Sequence, residues 1–178
     1  MTPDEPAHTV PFKRSALLWL WLVVVTLIPL LSVFGRRLQH WSAENVGYHL
    51  IAWVIGLGLL IAIGLLVQQL WRRSNAIPYL HLGWFLPLFL VLPLMLERVE
   101  ERLHFLTFGA FGALALMLFA PRTALVLCLA YSGGDELLQH YLPDRVGDWR
   151  DVGMNALASL AAALFTWLWL KQAGRGGQ

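Results

Sequence analysis

Hydrophobic and polar positions alternate along this chain in long blocks. Six apolar runs stand between short polar stretches, at about residues 15–34, 46–70, 78–96, 103–119, 123–141 and 151–170. A helix needs roughly 20 mostly apolar residues to cross a bilayer. The first, second, fourth and sixth runs meet that requirement directly. The third contains Pro87 and Pro93 and is expected to kink there, which bilayer helices tolerate when neighbours re-satisfy the freed carbonyls. The fifth is interrupted by Ser132-Gly133-Gly134 and then turns polar, so it is expected to be broken or partly interfacial. The connections are only a few residues long. The pattern therefore predicts an all-α, polytopic transmembrane helical bundle of about six spans.

Lys13 and Arg14 precede the first run as in a signal peptide. That run is too long for an h-region, and Val33-Phe34-Gly35-Arg36 is a poor cleavage site, so it reads as a retained anchor. Trp19, Trp21, Trp41, Trp71, Trp149, Trp167 and Trp169 lie at or near run ends, where an interfacial aromatic belt is expected.

Composition agrees with this solvent. Of 178 residues, 58% are hydrophobic and 13% charged, with mean hydropathy +0.61. A soluble domain of this size cannot hide so much apolar surface, and disorder requires low hydrophobicity. The single Cys128 excludes an intramolecular disulfide and any multi-cysteine metal site. A net charge of +2 is too small for a nucleic-acid reader.

The placement of charge adds more. With the N-terminus cytoplasmic and six spans, the basic residues divide seven inside to six outside, a weak positive-inside bias. Of the eleven acids only Asp4 and Glu5 are inside. The other nine fall on the opposite side or at its rim. The link between the third and fourth runs and the link between the fifth and sixth share a side in either orientation. Their polar groups can converge.

Three clusters carry candidate chemistry. Glu97, Glu100, Glu101 and His104 share one face of a continuous helix. The competing reading is a solvated helix end, and the run lacks a metal motif such as His-Glu-x-x-His. Asp135, Glu136, Gln139 and His140 follow the glycine pair. At helical spacing Glu136 reaches Gln139 and His140, and Asp135 reaches Gln139. Such groups near the end of a span are costly unless paired or wet. In the third cluster, Asp148 looks like an N-cap with Asp151 three residues on. Asn155 sits deeper in an apolar helix and needs a partner. Arg145 is the expected counter-ion and could clamp a phosphate or carboxylate. Gly109, Gly112 and Ala113, and Gly153, Ala156, Ser159, Ala161 and Ala163, mark expected faces of close helix approach.

The segment from Glu136 to Asn155 resembles the signature of the VanZ-like family. That signature reads Glu-x-x-Gln, then Arg, then Asp-x-x-Asp-x-x-x-Asn opening the last helix, and here it is Glu136, Gln139, Arg145, Asp148, Asp151 and Asn155. Glu100 to Gly109, with His104, resembles the family's acid/base/His entry to an earlier helix. The chain departs from the pattern at Glu101, where the family often has Lys, and at Ala158, where it usually has Gly. The motif match divides the chain into a cytoplasmic tail (1–14), additional N-terminal transmembrane helices (15–96), a VanZ-like core (97–170) and a C-terminal tail (171–178).

The resemblance implies a bacterial inner-membrane protein linked to the cell envelope and to resistance against the glycopeptide teicoplanin. It supplies no reaction. The leading expectation is an accessory protein, not an enzyme, with no cofactor or metal. Its outward polar pocket would engage a membrane lipid head group, a lipid-linked or glycopeptide ligand, or a partner membrane protein. An alternative is a membrane-embedded enzyme with Glu136 or Asp151 as general base and His104 or His140 as proton carrier. No activated nucleophile is visible for it. A small transporter with helix breaks at Pro87, Pro93 and Gly133-Gly134 is a third reading.

Overall fold

A computed structural model describes residues 13–46, 54, 57, 76–96, 98–143 and 148–175. Most of these are helical. Helix α1 runs Arg14–Asn45. Helix α2 covers Ala76–Leu86, continues through a π turn at Pro87–Val91 and closes with a helical turn at Leu92–Met95. Helices α3 (Val99–Leu118), α4 (Pro121–His140) and α5 (Trp149–Arg175) complete the bundle.

Three of these are long and apolar enough to cross a membrane, over Arg14–Arg37, Glu101–Leu118 and Trp149–Lys171. This is a coarser result than six spans. The expected second span (46–70) lies outside the described residues except for Val54 and Leu57, which are helical. In the third the helix is continuous over Ala76–Met95, and its described apolar stretch is Leu80–Met95. The fifth has the length but carries Arg122, Asp135 and Glu136.

The prolines inside α1 and α2 act differently. Pro87 and Pro93 each remove a backbone donor. Between them the ladder lengthens to i→i−5, with the Leu92 N–H donating to the Pro87 carbonyl. The expected kink is thus a π turn. Pro29 lies inside α1 and leaves the Val25 carbonyl without its helical donor. The Tyr131 hydroxyl of α4 donates to that carbonyl instead, so the proline creates a tie between α1 and α4.

The expected break in α4 does not occur. The helix runs unbroken through Ser132-Gly133-Gly134, and Ser132 Oγ donates to the Cys128 carbonyl at 2.8 Å. Gly133 and Gly134 have open space where a side chain would be. They cost the helix some propensity but do not end it.

Small residues bring α3 and α5 together. A Cβ on Gly112 would sit 2.6 Å from the Ser159 carbonyl carbon. That is backbone against backbone, so only glycine fits. Gly109 similarly admits the Phe89 ring, 3.1 Å from where its Cβ would be to Cζ. Gly153 is exposed and faces open space, so it is not part of the packing face.

Aromatic rings fill the interior. Phe105, Phe108 and Phe111 are buried along one side of α3. Phe111 stacks on Tyr131 at 4.8 Å, and Trp21 meets Phe111 and Phe119 at 5.9 and 5.2 Å. Phe85 stacks on Phe165 at 4.1 Å. Two tryptophans therefore leave the expected belt: Trp169 is buried, and Trp21 is spent on this core. Trp19, Trp41 and Trp149 remain exposed, while Trp71 lies outside the described residues. Leu18, Leu22, Val23 and Leu30 on α1, and Leu125, Val126 and Leu129 on α4, also point outward. Such apolar surface is ordinary only where the surrounding solvent is lipid.

Candidate functional site

The chain direction puts the α2–α3 turn and the α4–α5 connection at the same end of the bundle, as expected. At that end the polar residues of four helices meet.

The deepest layer is a hydrogen-bonded network across α1, α3 and α4. Ser32, His104, Asp135 and Gln139 are all buried. Ser32 Oγ lies 2.6 Å from Asp135 Oδ1 and 2.9 Å from His104 Nε2. Gln139 Nε2 donates to Asp135 Oδ2 at 3.0 Å, and His104 Nε2 stands 3.6 Å from the same oxygen. A carboxylate only accepts, and a serine hydroxyl carries one proton. With its one proton donated to Asp135 Oδ1, Ser32 Oγ can only accept from His104 Nε2. Ser32 Oγ also lies 3.2 Å from the Ile28 carbonyl, a longer contact competing for the same proton. This order places the serine between the acid and the histidine. In nucleophilic catalysis the histidine takes the serine proton instead. In this arrangement the Ser32 proton points to Asp135 and not to His104.

Above it lies a small cleft lined by Glu101, His104, Gln139, Arg150, Asp151 and Asn155 together with the apolar Leu96, Phe105 and Met154, with about 30 Å³ of water-accessible space. That is room for one or two waters, or for a single hydroxyl or amine. Arg150 Nη2 donates to Glu101 Oε1 at 3.0 Å and Arg150 Nε to Asp151 Oδ1 at 3.4 Å. Arg150 is exposed, so these pairs add little stability. On α2, Leu96 ends the last turn, and its carbonyl accepts from Arg102 Nε and Nη2 at 3.0 and 2.8 Å. This caps the turn and fixes the entry to α3.

Asp148 is the N-cap of α5, its Oδ1 accepting from the Arg150 N–H at 2.9 Å. The reciprocal bond comes from another helix. The Asp148 N–H donates to Glu136 Oε1 at 2.6 Å, and Asp151 turns to Arg150. Glu136 is thus the far half of the cap and not the partner of Gln139 expected from helical spacing.

Of the sequence candidates, His104, Gln139, Asp151 and Asn155 come together in the cleft. Glu136 and Asp148 line a different groove with His140. Arg145 and Glu97 lie outside the described residues, and of Glu100 only the helical backbone is described. Among the described residues the cation at Asp151 is Arg150, and the expected counter-ion Arg145 lies outside them. Ser32 gives no motif in the sequence; its one signal is a hydroxyl three residues after a proline in an apolar run. Asp135, the acceptor of the whole network, is visible only as the i−4 neighbour of Gln139. Among the described residues no three His, Cys, Asp or Glu side chains stand close enough to hold a metal ion.

A family model described as VanZ/LLP1 matches residues 7–170. The chain belongs to the VanZ/LLP1 family. The match takes in the N-terminal helices as well as the 97–170 segment that carries the motif, and Ser32 of α1 lies inside it. No curated protein and no solved structure matches the chain. Family membership and the apolar helices together make this a membrane protein of the VanZ/LLP1 family.

Proposed function

We propose that this protein is an accessory component of the bacterial cell envelope. In this reading it sits in the inner membrane with its N-terminus in the cytoplasm and its polar end facing outward. There it engages one polar group of a lipid head group or lipid-linked envelope ligand, and by doing so it supports resistance to glycopeptides such as teicoplanin. The observation that carries the reading is the meeting of His104, Gln139, Asp151 and Asn155, from three helices, in one cleft. Apolar side chains would fill that space at lower cost in a bilayer. The serine-centred network beneath the cleft favours binding over nucleophilic catalysis. The unbroken α4 removes one of the helix breaks a transporter would use.

In cells that depend on this protein for glycopeptide resistance, Asp151→Ala abolishes resistance while membrane abundance stays at the wild-type level. Asp151 is half-buried, and its side-chain partner among the described residues is exposed Arg150, so its loss does not threaten the fold. Full resistance in the variant overturns the proposal.

A further inference from the structure

Besides the cleft, the polar end carries a groove between α4 and α5 with about 430 Å³ of accessible space. Glu136, Leu137, His140, Asp148, Trp149 and Val152 line it, and it shares no residue with the cleft. Its volume is in the range of small-molecule sites.

Three observations define its chemistry. Glu136 is only 6% exposed, and its Oε2 has no hydrogen-bond partner among the described residues. A buried carboxylate oxygen left unpaired is expensive. Oε1 is already spent on the Asp148 N–H, so Oε2 is the acceptor on offer. Second, Asp148 adds another carboxylate to the wall, and no lysine or arginine lines the groove among the described residues. An ammonium finds two acids there. Third, the remaining wall suits an amphiphile. Leu137 is exposed to the surroundings, and Trp149 is 87% exposed at the start of the last span. Tryptophan at that depth favours the head-group layer, and its ring face attracts cations.

We infer that the α4–α5 groove is a binding site for a bilayer lipid with a primary ammonium head, the ammonium donating to Glu136 and Asp148 and the acyl chain lying along Leu137 and Val152. This site is additional to the cleft and does not depend on the function proposed for it.

The test uses the full chain in a mild detergent with an equimolar mixture of phosphatidylethanolamine and phosphatidylcholine of identical acyl chains. Retained lipid is read by native mass spectrometry. Choline keeps the positive charge but has no N–H to donate. One charge-assisted hydrogen bond gives a preference for phosphatidylethanolamine of about tenfold. Glu136→Gln keeps an acceptor for the Asp148 N–H and brings the preference close to unity. Asp148→Asn, which caps α5 as well as aspartate does, lowers it severalfold. Equal retention of the two lipids by the wild type, or a wild-type preference in both variants, overturns the inference. The cleft is read separately through Asp151 and Asn155, so failure of one proposal is distinguishable from failure of the other.

Discussion

Where α3 turns into α4, the interior is filled by shape. Trp21, Phe111, Phe119 and Tyr131 interlock, and further along the α3–α5 crossing Gly112 lets two backbones touch. Where α4 leads into α5, the same helices enclose Ser32, His104, Asp135, Gln139 and Asn155. The first region gains from every buried atom. The second must satisfy each polar group it buries, and replacing such groups with apolar ones is often neutral or stabilising. A chain with 13% charged residues that gathers them where apolar ones would serve the fold points to a use other than stability.

The two regions should fail differently. The largest effect is expected in the scaffold: Gly112→Ala forces α3 away from the Ser159 backbone and costs about 3 kcal/mol in a reversible unfolding titration in mixed micelles. At the polar end Asp135→Ala strands the donors of Ser32 and Gln139 and costs about 2 kcal/mol by the same titration. Tyr131→Phe, which reopens the Val25 carbonyl that Pro29 leaves bare, costs about 1 kcal/mol. Arg150→Ala produces no measurable shift in melting temperature, because its ion pairs are exposed. A large Arg150 effect or a negligible Gly112 effect would erase the contrast between scaffold and site.

The sequence reveals the solvent and the shared side more readily than the partners. Run length and apolar character are local, and they identify α1, α3 and α5. The turn of α2 into a π segment and the continuity of α4 depend on ladder bonds that a composition pattern does not contain. Within the site, spacing finds Asp135 with Gln139 and the capping role of Asp148, since these lie along one chain segment. It does not find Ser32 bonded to Asp135, 103 positions away, or Glu136 completing the cap of α5 from α4. Trp21 and Trp169 look interfacial by position, yet the aromatic core and close helix packing draw them inward.

The central claim is that the polar end binds something and the rest of the bundle holds it in place. The direct measurement is the envelope amphiphile that co-purifies with the protein from its native membrane in mild detergent, quantified for wild type and for Asp151→Ala/Asn155→Ala at matched protein amount. The account predicts a stoichiometric amphiphile with the wild type and at least a tenfold loss in the double variant, at similar melting temperature. Equal recovery from both proteins would contradict it.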